Sequence, residues 1–348
     1  MSSTGPIEPI RYGRYTLVHK LAEGGMAEIF KAKTTGAHGF EKTIVIKRIL
    51  PHLARDEEFV RMFITEAQVM VRLEHPKVVQ VLDFGEEDGS YFIAMEYIRG
   101  IDLLALLRRC AHLRCRPTTG IAVHVAAEVL DALDYAHKLT DDEGQPLAVV
   151  HRDVSPSNIF VSELGEVKLG DFGIAVAASG KGLGDTKALK GKYGYMAPEV
   201  VAEGRVDQRA DLFSVGIVMA ELLMIRRLFI AKSELAVLFQ VRDADLARLD
   251  KYGKHIQPDL RQVLESALAR DPAHRYQSAA VFREALHRYL FDHRLMVRNN
   301  DVRRFLLRLD ETEQRRAAGL PTPPDRAPVA EEPRADAPSS PPGGADRV

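Results

Sequence analysis

The sequence predicts an α+β fold built as a small sheet-rich portion followed by a larger helical one. Strand-like runs are confined to roughly the first hundred residues, and helical periodicity dominates from residue 100 onward. Strands and helices that segregate along the chain, rather than alternate, indicate α+β architecture and not a parallel α/β sheet.

The elements follow in order. Residues 1–14 read as an N-terminal extension without the apolar core of a signal peptide. Residues 15–33 and 41–50 cluster β-branched residues, as in Thr43-Ile44-Val45-Ile46, and predict strands around the turn-rich segment 34–39. Residues 56–73 predict a helix: Asp56, Glu57 and Glu58 load its first turn, and Phe59, Phe63, Ala67 and Met70 share a face. Val78–Phe84 and Tyr91–Tyr97 predict two more strands about the turn signal Glu86-Glu87-Asp88-Gly89. Thr118 or Thr119 is placed to cap a helix with apolar residues at 121, 125, 129, 133 and 136. A helical extension is expected over 291–318. The last thirty residues, 319–348, hold eight prolines and few large apolar side chains, so a disordered tail is expected there.

Composition narrows the function classes. The 348 residues carry 48 Lys and Arg against 49 Asp and Glu, a net charge of −1, which argues against nucleic acid or an anionic membrane as partner. The two cysteines, Cys110 and Cys115, support neither a disulfide framework nor a zinc site. The longest apolar stretch, 212–225, is interrupted by Ser214, Gly216 and Glu221 and falls short of the ~20 residues that span a bilayer. A cytoplasmic protein is expected.

The most informative segment is His151-Arg152-Asp153-Val154-Ser155-Pro156-Ser157-Asn158, followed by Asp171-Phe172-Gly173. With Ala197-Pro198-Glu199 downstream, it resembles the catalytic loop, metal-binding triplet and substrate platform of protein kinases. The resemblance runs from about Tyr15 to Leu290. Its wording is similar to that of bacterial, myxobacterial-like, eukaryotic-type Ser/Thr protein kinases. It implies a bilobal fold, with an N-lobe over 15–97 and a C-lobe over 98–290, and transfer of the γ-phosphate of ATP to protein Ser/Thr hydroxyls with Mg²⁺.

Residue by residue, the resemblance makes Asp153 the catalytic base and gives the metal ions to Asn158 and Asp171. Leu21-Ala22-Glu23-Gly24-Gly25-Met26-Ala27-Glu28-Ile29 resembles the glycine-rich phosphate loop, with Ala at the first and third glycine positions. Lys47, ending Ile44-Val45-Ile46-Lys47, takes the place of the phosphate-binding lysine, with Glu66 as its ion-pair partner. Met95, Glu96 and Ile98 fall at the hinge, and Val45 and Phe160 would sandwich adenine. Asp211 matches a helix-start aspartate, and Arg275 the arginine that pairs with Glu199.

One departure stands out. The family has Lys where this chain has Ser155, and Thr where it has Lys192. The two types look exchanged, so Lys192 is expected to reach back beside Asp153 and supply the ammonium, with Ser155 supplying the hydroxyl. Arg152 resembles the arginine of kinases whose activation segment is ordered by phosphate, and Thr186 is the candidate for autophosphorylation. The run Arg108, Arg109, His112, Arg114 and Arg116 reads as a solvated helix end. Alternatives remain a catalytically silent nucleotide-binding scaffold, to which Ala22, Ala27 and Ser155 point, and a small-molecule kinase.

Overall fold

A computed structural model describes residues 5–36, 39–172, 192–202 and 204–320. Thr186, Gly173 and nearly all of the expected tail lie outside the described residues.

Six antiparallel strands form the first layer: β1 Gly5–Tyr12, β2 Tyr15–Glu23, β3 Ala27–Thr35, β4 Glu41–Ile49, β5 Val81–Glu87 and β6 Ser90–Glu96, in the order β1-β2-β3-β4-β6-β5. Side chains alternate across a strand, so β4 turns Ile44 and Ile46 to one face and Val45 and Lys47 to the other. The first face closes over its own core of Tyr12, Tyr15, Leu17, Phe30, Phe92 and neighbours. The second face meets helix α1, Glu57–Val71, which buries Met62, Phe63, Glu66, Ala67 and Met70. Asp56 caps α1 by accepting from the amides of Glu58 and Phe59.

Two strand readings are corrected. β1 lies in the segment expected to be an extension. Its largely exposed edge, with Pro6 and Pro9, shows no apolar alternation from which a strand is read. β5 starts three residues later than expected. Val78 and Val79 leave this sheet to join the helical part: the Val79 amide donates to the Leu169 carbonyl at 2.8 Å, and the Leu169 amide to the Lys77 carbonyl at 2.8 Å. The β5–β6 hairpin then turns on Asp88 and Gly89, both at positive φ (51° and 69°), the geometry of a tight two-residue turn.

The second layer is helical: α2 Leu103–Leu113, α3 Thr119–His137, α4 Pro198–Val201, α5 Arg209–Met224, α6 Glu234–Arg242, α7 Ala247–Tyr252, α8 Pro258–Ala267, α9 Ala279–Asp292 and α10 Asn299–Ala317. Thr118 is the residue that caps α3. Helix α5 is buried on every side from Ala210 to Met224, as a central core helix must be. Within this part a three-stranded sheet, β7 Gly100–Asp102, β8 Ile159–Ser162 and β9 Val167–Leu169, flanks the 151–158 loop and presents it to the interface between the parts. The fold is bilobal, as expected.

The arginine run of α2 is not a solvated end throughout. Arg109 pairs with Asp310 at 2.6 Å and Glu313 at 2.7 Å on α10, and Arg316 donates to the His112 carbonyl at 2.7 Å. Helix α10 also buries Val302, Phe305, Leu306 and Leu309.

Candidate functional site

A cleft of about 880 Å³ separates the sheet from the helices. Among the described residues, every expected catalytic, metal and nucleotide-binding residue lines it except Ser155 and, in the phosphate loop, Glu28.

Its roof is the β2–β3 hairpin and β4. The hairpin closes with the Gly24 amide donating to the Ala27 carbonyl at 2.9 Å. Ala22 and Ala27 sit inside β2 and β3, and neither has a positive φ, so the methyl groups that replace glycine hydrogens carry no backbone strain. Lys47 reaches from β4 to Glu66 on α1 at 2.6 Å and to Asp171 at 3.1 Å. Burial disfavours the Lys47 ammonium, but the Asp171 and Glu66 carboxylates outweigh it and hold the amine above its ordinary range. Burial likewise pushes the Asp171 carboxyl up, and Lys47 reverses this to hold it below the ordinary carboxylate range. Burial pushes the Glu66 carboxyl above its ordinary range, with Lys47 drawing it back, so the charged pair at neutral pH is Lys47 with Asp171.

The floor is the 151–158 loop, held by a buried carboxylate. Asp211 opens α5 and accepts from the His151 amide, the Arg152 amide and His137 Nε2, each at 2.8 Å. These bonds support Arg152 at φ 64°, a left-handed conformation that a non-glycine residue adopts only when its surroundings enforce it. Asp171 stands at φ 53° in the same manner. His137 was not among the residues singled out. A histidine at the C-terminus of a helix carries no local signal of that role.

His151 accepts from the Asp153 amide through Nδ1 at 3.2 Å, so Nε2 carries the hydrogen donated to the Gly170 carbonyl at 3.1 Å. Burial pushes the imidazole below its usual 6.5, against the pull of Asp211 and Asp153. Below pH 6.5 the unfolded chain binds this proton and the folded one does not, so stability falls as pH drops from 6.5 toward the folded value. A His151→Gln variant should show a shallower loss of stability between about pH 7 and 5.5 in chemical denaturation. Equal slopes would contradict this account of the loop.

Asp153 is the focal group. Its Oδ2 accepts from Asn158 Nδ2 at 2.8 Å, and the ammonium of Lys192 pairs with the same oxygen. Lys192 thus stands beside Asp153, as the exchange requires. Ser155 does not complete it: its side chain is buried and its hydroxyl lies 3.0 Å from that of Ser157. The short turn within 155–158, closed by the Asn158 amide donating to the Ser155 carbonyl at 3.0 Å, points Ser155 into the loop and away from the cleft.

At the hinge, the Glu96 carboxylate accepts from the Gln80 amide at 2.9 Å and from Lys168 at 2.5 Å, tying β6 to β9. Among the described residues no group of three His, Cys, Asp or Glu side chains forms a metal cluster. Asn158 and Asp171 nonetheless present hard oxygen donors. Mg²⁺ binds in this way, through one or two protein oxygens with the rest from phosphates and water. The residues fit a metal held jointly with a nucleotide.

The comparisons with known proteins agree with this geometry. The model of the protein kinase domain matches residues 15–290. The chain is 44% identical over 286 residues to the tyrosine-protein kinase MasK of Myxococcus xanthus, covering 81% of this chain and 44% of that protein. It is 30% identical over 267 residues to the serine/threonine-protein kinase PrkC of Bacillus subtilis, covering 77% of this chain and 39% of PrkC. The chain therefore spans less than half the length of these two relatives. The crystal structure of the Mycobacterium tuberculosis PknI kinase domain is similar with a TM-score of 0.56 at 30% identity, over 81% of this chain and 98% of that one. Among the described residues no helix is long and apolar enough to cross a membrane. With a matching domain model over most of its length and a cleft of this form, the chain belongs to the protein kinase family.

Proposed function

We propose that this chain is an ATP- and Mg²⁺-dependent kinase that phosphorylates serine and threonine hydroxyls of proteins, with residues 15–290 as its catalytic domain. One observation carries the reading: the Lys47–Glu66–Asp171 cluster faces the Asp153–Asn158–Lys192 cluster across a single cleft.

Adenine lies between Val45 and Phe160 under the Met95 gatekeeper. The Glu96 amide already donates to the Gln80 carbonyl at 2.9 Å, which leaves the Glu96 carbonyl and the Ile98 amide for the base edge. The loop from Leu21 to Ile29 covers the phosphates with backbone amides. Lys47, oriented by Glu66, holds the α- and β-phosphates. Asn158 and Asp171 hold Mg²⁺, which when bound neutralises charge on the phosphate oxygens. Asp153 accepts the proton of the attacking hydroxyl. That oxygen bonds to the γ-phosphorus as the bond to the β–γ bridging oxygen breaks, and ADP leaves. Lys192 supplies the ammonium missing at position 155, beside the attacking oxygen, while Ser155 holds the loop through Ser157. Thr186 is the proposed autophosphorylation site, with Arg152 as the partner for its phosphate.

A second reading has specific support. MasK bears the name of a tyrosine kinase, and Ser155 and Lys192 occupy the two positions where the family separates its specificities. Acid hydrolysis of the radiolabelled product decides between them. Phosphoserine or phosphothreonine is expected, and phosphotyrosine alone would replace this reading with the second.

A further inference from the structure

The cleft does not end at the phosphate site. It continues past α2 to the turn at Tyr193–Tyr195, and its charges there are unbalanced. The carboxylates along it are engaged: Asp102 caps α2 through the Ala105 amide at 2.8 Å, Asp211 is buried under the 151–158 loop, and Asp153 is paired with Lys192. Glu221, behind Tyr195, is buried and accepts from its phenol at 2.8 Å and from the Leu228 amide at 3.0 Å.

Apart from Arg152 on the catalytic loop, which also lines the cleft, two arginines remain toward this outer end. Arg108 projects from α2 into the outer cleft and is exposed, while its neighbour Arg109 is drawn away to α10. The Arg227 guanidinium, from the segment after α5, sits 4.9 Å from the centre of the Tyr195 ring. Among the described residues neither forms an ion pair within 4 Å, although Arg227 acts on the buried Glu221 carboxyl and draws it down against burial. Both guanidiniums act on the Tyr195 phenol, which burial and Glu221 push up and the two arginines draw back down. Arg108 lines the same cleft as Tyr195, and Arg227, outside the lining, packs on the Tyr195 ring, so both stand beside the platform on which a protein substrate would lie.

We propose that Arg108 and Arg227 form a cationic subsite that reads acidic side chains near the acceptor hydroxyl, so that the preferred substrates are acidic segments of proteins. The planar guanidinium fork matches a carboxylate in two-point geometry, and an exposed cationic rim speeds the encounter with an acidic partner. The inference rests on the phosphotransfer reading above for its biological meaning, but the subsite itself is testable by binding.

Two peptides that share a central serine and differ only in flanking glutamates or flanking lysines suffice. Transfer and equilibrium binding by fluorescence anisotropy are measured on the same protein at low and high salt. The acidic peptide should be favoured about tenfold, mainly in KM and Kd, and the preference should shrink with salt. Arg108→Glu, at an exposed position whose change leaves packing intact, should abolish or reverse it. Arg108→Glu combined with Arg227→Gln should do so completely. Equal binding of the two peptides by the wild-type chain, or a preference unchanged in Arg108→Glu, would overturn the subsite. Charge-selective binding without transfer would support the subsite while defeating the phosphotransfer reading. Transfer without charge selection would do the reverse.

Discussion

A Lys192→Met variant is expected to lose about 10²–10³-fold in kcat on protein substrate, with a much smaller change in KM for ATP. The reason is local. Asp153 shares one carboxylate oxygen between the Asn158 amide, at 2.8 Å, and the Lys192 ammonium. The other position from which the family delivers a cation is Ser155, whose buried side chain faces Ser157. Removing Lys192 leaves the developing charge between the acceptor oxygen and the γ-phosphate without its nearest flexible cation, while Lys47 still grips the nucleotide. Lys192→Arg should retain part of the activity, because charge is kept and only its shape changes. Undiminished turnover in Lys192→Met would mean that Lys192 is a solvated side chain resting on Asp153.

Arg275→Leu should destabilise the fold by about 3–5 kcal/mol in chemical denaturation. Arg275 is buried and grips Glu199 through two nitrogens, at 2.8 and 2.7 Å. It also donates to the carbonyls of Ala269, Arg209 and Arg270 and lies 4.8 Å from the Phe213 ring centre. Its loss strands a largely buried carboxylate and three carbonyls at once. The double change Arg275→Leu with Glu199→Leu should recover part of the loss, since the uncompensated charge disappears with its partner. A single variant as stable as wild type would show that water reaches Glu199 in place of the arginine.

Residues whose chemistry dictates both type and spacing were legible in the sequence. Lys47, Glu66, Asp153, Asn158 and Asp171 come from four separate elements, yet each is recognisable because a phosphate, a metal or a proton tolerates few substitutes. The strand β4 was legible for the same kind of reason, since alternation in Ile44-Val45-Ile46-Lys47 already divides core from cleft. Features made by tertiary contact were not legible. Strand β1 is an exposed proline-bearing edge with no periodicity. Val78 and Val79 read as one strand with Val81 because an apolar run does not state which sheet it joins. His137 meets Asp211 across 74 positions of chain, and nothing local marks either as the other's partner. Ser155 reads as the supplier of a hydroxyl to the site because sequence shows its position but not its rotation within the 155–158 turn.

The most direct test of the account is radiolabelled γ-phosphate transfer by the purified chain with Mg²⁺, alone and with a generic protein substrate, beside an Asp153→Asn control in which ATP binding is measured independently. The account predicts label on protein with the wild-type chain, a fall of about 10²–10⁴-fold in Asp153→Asn, and ATP bound by both. ATP bound by both with label on neither would contradict it and make this cleft a nucleotide-binding scaffold.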